Sequence, residues 1–242
     1  MKKFALVCGA SGTIGQAIAK ELAREGWSLY LHYGSGRDRV QSLVYDLSER
    51  YDTQEFIPVH GDFLIDEGAQ SLASQIFTLQ AIVFASGHAV YGLLEDHTHA
   101  QMTALWKVHV ETPMRITQLL ASKLRQHQTS YITFISSIWG ETGASGETVY
   151  SAVKGAQNSF VKAYAKEVAY NGIRVNAIAP GIIETEMNNH LDEDEKAMIL
   201  EEIPLQRYGS PEEVANLTSF VMSGKADYMT GQILRINGGW YI

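Results

Sequence analysis

Three polar side chains in mid-chain have the types and spacing of an acid–base site: Ser137, Tyr150 and Lys154. On a helix, positions i and i+4 share a face, so the Lys154 ammonium would stand close to the Tyr150 phenol. A free tyrosine titrates near pH ~10 and is a poor acid at neutrality. A close cation favours the phenolate and lowers that pKa. Tyr150 would then exchange a proton with a substrate oxygen held by the Ser137 hydroxyl. Tyr and Lys four apart is a common accident of helix surfaces, so a second feature is needed. It lies at the start of the chain, in Gly9-Ala10-Ser11-Gly12-Thr13-Ile14-Gly15. Glycines let a backbone approach a pyrophosphate, and a helix N-terminus offers unpaired N–H groups and a favourable dipole. The conjunction points to proton exchange with a substrate beside a bound dinucleotide.

The type of dinucleotide is read further on. An NAD site places an acidic residue about 20 residues beyond the glycines, at the end of the second strand. Here that region reads Leu31-His32-Tyr33-Gly34-Ser35-Gly36-Arg37, with no carboxylate until Asp38. Ser35 and Arg37, with Arg39 nearby, suit a 2′-phosphate, so NADP(H) is expected over NAD(H). His97 and His99 form an H-x-H pair, but no third ligand of known spacing accompanies them, and no metal is expected. His88, Tyr91, Trp139 and Trp240 are candidates to shape a substrate pocket.

Positioning these residues requires alternating strands and helices. Phe4 to Cys8 reads as a buried strand, followed by a helix over Ile14 to Glu25, where Ile14, Ala17, Ile18 and Leu22 form one apolar face. Gly26 suits its C-terminal cap. Further strands are expected at Ser28 to Tyr33, Phe56 to Val59, Ala81 to Ala85, Tyr131 to Ser136, Ile173 to Ala179 and Ile233 to Ile236. Helices are expected over Ala100 to Leu124 and Tyr150 to Tyr170. Ser210-Pro211-Glu212-Glu213 has the pattern of a capping box opening another. The acidic run Asp192 to Glu195 reads as a solvated helix surface. This alternation predicts a doubly wound parallel sheet with helices on both faces, of Rossmann type, because parallel neighbours need crossovers. Residues 1–242 read as a single domain, with no repeat, linker or low-complexity tract.

Composition bounds the function classes. The 242 residues carry 27 acidic and 19 basic side chains, a formal net charge of −8. That balance disfavours nucleic acid and anionic membranes as partners. Cys8 is the only cysteine, which excludes an internal disulfide and a multi-cysteine metal site. The apolar stretch after Met1-Lys2-Lys3 stops at Gly9, too short for an export core, and no run approaches the ~18 apolar residues of a membrane span. A soluble, cytoplasmic protein is expected.

Taken in order, the motifs resemble the short-chain dehydrogenase/reductase family over essentially the whole chain. The matches are Gly9 to Gly15, Asp62, Gly87, Ser137, Tyr150, Lys154, Asn176, Pro180-Gly181, Thr185, Thr230-Gly231 and Asn237-Gly238-Gly239. The resemblance implies seven strands, a homotetramer, and an oxidoreductase acting on a ketone or its alcohol. It implies Tyr150 as catalytic acid, Ser137 as substrate orienter, and Lys154 on the nicotinamide ribose and the tyrosine. It places Asp62 at the adenine, Phe63 and Ala85-Ser86-Gly87 along the cofactor, and Pro180, Gly181, Ile183 and Thr185 at the nicotinamide. Departures are Cys8 for a threonine, Thr13 for a glycine, Phe84-Ala85-Ser86-Gly87 for Asn-Asn-Ala-Gly, and His109 for a fourth catalytic residue, an asparagine that holds a relay water. An imidazole at 109 would hold that water or carry the proton itself; the alternative is a local structural hydrogen bond.

Within the family the chain is most similar to the 3-oxoacyl-carrier-protein reductases. Two arginines that dock acidic carrier protein near their active-site entrance correspond to the uncharged Gln128 and Asn171, with Lys123 and Arg125 nearby. Paralogues of those reductases act instead on a 5-aminopentanone group on a lysine of elongation factor P. Ala85-Ser86-Gly87 and the missing arginines resemble that branch, so the ketone is expected on elongation factor P, with acyl carrier protein as the alternative carrier. A cofactor-sensing scaffold without activity is the competing class. The intact Ser137, Tyr150 and Lys154 argue against it, whereas His109 and Thr13 leave it open.

Overall fold

The computed structural model describes residues 2–188 and 192–242. Seven parallel strands form one sheet in the order β3-β2-β1-β4-β5-β6-β7, namely β1 (Phe4–Cys8), β2 (Ser28–Tyr33), β3 (Phe56–His60), β4 (Ala81–Phe84), β5 (Ser130–Ile135), β6 (Ile173–Pro180) and β7 (Ile233–Ile236). Strands β1, β4 and β5 are buried throughout, as near-continuous apolar runs must be when both faces of a parallel sheet are covered. Helices α1 (Thr13–Arg24), α2 (Arg37–Arg50) and α9 (Pro211–Val221) pack on one face around Ala5, Val7, Leu29 and Val83. On the other face, α3 (Gly68–Ser74), α5 (Thr112–Leu124) and α7 (Thr148–Val168) pack around Leu6, Ile82, Phe134 and Val175. The remaining helices are α4 (His99–Trp106), α6 (Trp139–Thr142) and α8 (Glu193–Glu202).

The expected strands are present within a residue or so at each end. Gly26, at φ +82°, closes α1 in the left-handed conformation that a glycine adopts without cost. The Ser210 capping box forms, with Glu213 N–H donating to Ser210 Oγ at 3.2 Å and Ser210 N–H to Glu213 Oε2 at 2.8 Å. The acidic run does more than face solvent: Asp192 caps α8 in a second capping box with Glu195, and the acidic first turn suits the helix dipole.

One expectation needs correction, and two helices go beyond the sequence reading. The single helix over Ala100 to Leu124 is divided by a π-helical segment at Lys107–Glu111, with His109 at its centre. Helices α2 and α3 escape the periodicity because α2 buries only the narrow stripe Val40, Leu43 and Leu47, and α3 has just two turns. Among the described residues, no helix is long and apolar enough to cross a membrane.

Candidate active site

All seven strands run the same way, so the loops after their C-terminal ends meet at one edge. Strand order reverses between β1 and β4, and a crevice outside the carboxyl ends at such a switch point is where open α/β sheets take ligands. A cleft of about 620 Å³ opens there. Its lining includes Ser11, Gly12, Thr13, Ile14 and Gly15 after β1, Ala85, Ser86 and Gly87 after β4, and Ser137 after β5. It also includes Tyr150 and Lys154 of α7, His109, and Pro180, Gly181, Ile183 and Thr185 after β6.

The β1–α1 turn is built to bring backbone close to a ligand. Gly9 has φ +82°, and a Cβ there would stand 2.5 Å from the Ser86 backbone nitrogen. A Cβ on Gly15 would collide with the Gly9 carbonyl oxygen. Gly12 occupies the N-cap of α1, and no side chain caps that end, leaving its first-turn N–H groups to the cleft. This cradle fits a dinucleotide pyrophosphate. Cys8, in the usual threonine position, is fully buried at the end of β1 and belongs to the core.

His32 holds the turn from beneath, a role the sequence reading missed. Gly9 N–H donates to His32 Nδ1 at 3.0 Å, and His32 Nε2–H donates to the Gly61 carbonyl at 2.8 Å. The ring stacks on Phe63 at 4.5 Å. Burial brings its pKa down to about 4, so the neutral form with the proton on Nε2 is the one present at neutrality. A histidine flanked by apolar residues inside a β-rich run was the available signal.

Ser137, Tyr150 and Lys154 come together as expected, but their electrostatics differ. Lys154 Nζ lies 5.4 Å from the centre of the Tyr150 ring and donates to the Ile135 carbonyl at 2.8 Å. Burial brings its pKa down to about 7. Burial also pushes the Tyr150 phenol above its ordinary value, and the Glu147 carboxylate and Tyr91 push it the same way. Only its hydrogen bond with Ser137 opposes them. The expected lowering by the lysine is overturned because desolvation of the phenolate dominates. Tyr150 therefore keeps its proton at neutrality.

His109 is buried, with Nε2 at 2.8 Å from the His88 carbonyl, to which it donates. Its Nδ1 is buried with no hydrogen-bond partner, as is Ser86 Oγ. The ring meets Tyr150 edge-on at 5.5 Å, and a Cβ on Gly87 would strike it. Burial, reinforced by the Lys154 charge, holds the imidazole pKa well below its ordinary value. The ring is thus an acceptor at Nδ1 rather than a store for a proton. Gln157 Nε2–H donates to the His109 carbonyl at 2.6 Å, anchoring the π-helical segment.

Some predicted residues lie away from the cleft. Ser35 and Arg37 do not line it, whereas Arg39 does. Positions two apart on a helix point about 200° apart, so Arg37 and Arg39 cannot both face inward. Arg39 pairs across the cleft mouth with Glu186 at 3.1 Å. Asp62 and Phe63 are also outside the lining: Asp62 Oδ1 accepts from Leu64 N–H at 2.9 Å, and Phe63 is buried beneath His32. His97 has both ring nitrogens against backbone carbonyls, of Leu93 at 2.9 Å and Val90 at 3.3 Å. His88, Tyr91, Trp139 and Trp240 all line the cleft. Gln128 and Asn171 do not border it. They precede β5 and β6, at the opposite edge of the sheet, where Gly172 packs against the Gln128 carbonyl.

Comparison with known proteins agrees with this geometry. Residues 9–241 match the family model described as Enoyl-(Acyl carrier protein) reductase. The oxidoreductase YmfI of Bacillus subtilis is 43% identical over 242 residues, covering all of both chains. The 3-oxoacyl-[acyl-carrier-protein] reductase FabG of Staphylococcus epidermidis is 32% identical over 246 residues, again covering all of both. Among solved structures, YwfH, an NADPH dependent reductase involved in bacilysin biosynthesis, superposes with a TM-score of 0.91 at 25% identity, covering 100% of this chain and 99% of that one. Full-length similarity, the glycine turn at the switch point and the Ser137–Tyr150–Lys154 cluster agree, and the chain belongs to the short-chain dehydrogenase/reductase family of oxidoreductases.

Proposed function

We propose that the protein is a cytoplasmic, homotetrameric NADPH-dependent reductase that converts a ketone to an alcohol. The observation that carries this reading is the meeting of Ser137, Tyr150 and Lys154 with the glycine turn in one cleft. The cradle from Gly9 to Gly15 would hold the pyrophosphate, Lys154 the nicotinamide ribose, and Pro180, Gly181, Ile183 and Thr185 the nicotinamide side. Arg39, which lines the cleft where Arg37 does not, would meet a 2′-phosphate, exchanging Glu186 for it. When bound, NADPH supplies the hydride.

The chain's own residues supply the rest. Ser137 holds the carbonyl oxygen, and Tyr150 delivers a proton to it as negative charge develops. A phenol kept protonated by burial suits reduction, the direction that consumes a proton. His109 Nδ1 would accept a hydrogen bond from a water near Lys154. Tyr150→Phe is expected to lower turnover at least ~100-fold while leaving NADPH affinity nearly unchanged. NADPH oxidation followed by absorbance, beside a binding titration, checks it, and full turnover in the variant would overturn the mechanism.

The substrate proposed is a protein-borne ketone, the 5-aminopentanone group on a lysine of elongation factor P. It is supported by Ala85-Ser86-Gly87 and by uncharged Gln128 and Asn171, which leave nothing basic at those two positions to steer an acidic carrier. Reduction of 3-oxoacyl groups on acyl carrier protein is the second reading, favoured by the similarity to FabG. Acetoacetyl-carrier protein and ketone-bearing elongation factor P, compared at matched concentration and salt, separate the two. A decisive preference for the acyl carrier would return the protein to fatty-acid synthesis.

A further inference from the structure

Two charged side chains from distant parts of the chain meet over the mouth of the cleft. Arg39 stands in the first turn of α2, just past β2, and Glu186 opens a short 3₁₀ turn, Glu186–Asn188, past β6. Strands β1, β4 and β5 lie between β2 and β6 in the sheet. At ~4.8 Å between neighbouring strands, the exits of β2 and β6 stand ~19 Å apart. The pair forms only because the chain after β6 folds back across the switch point. That return is fixed in shape: Asn188 Nδ2–H donates to the Ile183 carbonyl at 2.6 Å, and Glu184 N–H to the Gly209 carbonyl at 2.9 Å.

The contact itself is open to exchange. Arg39 Nη1 donates to Glu186 Oε2 at 3.1 Å and more weakly to Oε1 at 3.4 Å, and among the described residues Arg39 Nε and Nη2 have no partner. The two side chains are 55% and 71% exposed. An exposed pair of this kind shifts an equilibrium by at most about fivefold. Phosphate oxygens, by contrast, can take two guanidinium nitrogens at once. Among the described residues, Arg39 and Lys154 are the lysine and arginine side chains of the cleft lining, and Lys154 is buried in the wall beside Tyr150. An anion arriving at the β2 end of the cleft thus has Arg39 to bind and Glu186 to displace.

We propose that Glu186 is a specificity-determining residue for the cofactor: its carboxylate holds Arg39 in the free protein, competes with the 2′-phosphate for it, and recaptures it as NADP⁺ leaves. The inference rests on the reading of Arg39 as the 2′-phosphate residue. Binding of NADPH breaks the ion pair and leaves the freed carboxylate near a second anion. Both effects weaken retention of the phosphorylated cofactor, and neither acts on NADH. Glu186 therefore trades affinity for speed, hastening NADP⁺ release, a kind of step that sets turnover in many enzymes.

The test is calorimetric titration of the full chain with NADP⁺ and NAD⁺. These differ only in the 2′-phosphate, so a general effect on the pyrophosphate would move both alike. The wild type is expected to hold NADP⁺ more tightly, and Arg39→Ala to remove that margin. Glu186→Gln should tighten NADP⁺ at least about threefold, slow its release by a similar factor in stopped-flow, and leave NAD⁺ nearly unchanged. In an Arg39→Ala background the same substitution should lose most of its effect, the signature of two coupled residues. A wild-type margin that Arg39→Ala removes but Glu186→Gln leaves as it was overturns the inference alone. So does equal tightening of both cofactors, or a gain that persists in full without Arg39. A wild type that binds the two cofactors alike, or an Arg39→Ala protein with the full margin, overturns the reading of Arg39 and the inference with it.

Discussion

Tyr150 and Lys154 lie in one desolvated wall, and burial moves their titrations in opposite senses, the phenol up and the ammonium down to about 7. Sequence spacing brought the two together but could not show how little water reaches them, so the sign of the tyrosine shift was not legible. His32 was half-legible: its apolar neighbours in a strand mark it as buried, but nothing in the run says which two loops it bridges. Its neutral ring joins Gly9 to Gly61, and that makes the fold acid-sensitive. In the unfolded chain a histidine titrates near ~6.5, whereas in the fold His32 titrates at about 4. A depressed folded pKa means the unfolded state binds the extra proton first. The stability His32 contributes is therefore complete above pH ~6.5 and is lost as pH falls toward 4. The loss at the lower end amounts to about 3 kcal/mol. His32→Gln is expected to cost about 1 kcal/mol at neutrality, for imperfectly replaced hydrogen bonds, yet to fall off less steeply below pH ~6. Denaturant unfolding of both proteins at neutral and acidic pH measures the difference, and parallel pH profiles would remove His32 from this role.

The strands were the most legible elements, since both faces of a parallel sheet are covered and their sequences become short apolar blocks bounded by glycines. Helices were legible where an apolar stripe was broad, as in α1, and illegible where it was thin, as in α2. The π-helical segment left no trace in periodicity, because one extra residue in a turn shifts the register without changing composition. Its causes are tertiary: Gln157 takes the His109 carbonyl, and the imidazole fits only against Gly87. The β1–α1 turn makes a sharper claim about which glycines the element needs. A Cβ at Gly15 would meet the Gly9 carbonyl oxygen, a backbone atom that cannot rotate aside, whereas one at Gly12 finds its nearest neighbour at 3.5 Å. Gly15→Ala is expected to destabilise the fold by about 1–3 kcal/mol, as overpacking does, and to weaken NADPH binding at least about tenfold. Gly12→Ala should leave thermal stability close to wild type. Melting curves with and without NADPH test the contrast, and a Gly15→Ala protein as stable and as responsive to cofactor as the parent would refute this account of the turn.

At the scale of the whole molecule, the active cleft and the α5–α7 surface occupy different sides, and the second is the face on which assembly would be built. A groove of about 810 Å³ there is lined by Trp106, Met114, Ala121, Phe160, Ala163 and Tyr164 among others. Trp106 is 48% and Met114 42% exposed, large apolar side chains that a monomer would leave in water. Contiguous apolar surface of this kind marks an interaction site, and two-fold symmetry would bring the same face of a second copy onto it. Each chain carries a net charge of −8, so copies repel at long range and association has to come from apolar contact. Assembly also bears on substrate choice. Gln128 and Asn171 sit at the sheet edge opposite their own cleft, so they bear on a protein-borne substrate only if assembly brings a neighbouring copy's cleft to them. The wild-type chain is expected to sediment as a tetramer at micromolar concentration. Ala163→Glu, which places a carboxylate in the groove at an exposed position, should shift it toward smaller species and, if neighbouring copies frame the substrate entrance, raise KM for a protein-borne ketone more than for a small one. A wild-type monomer, or a tetramer indifferent to Ala163→Glu, would show that the α5–α7 face is not where the molecule assembles.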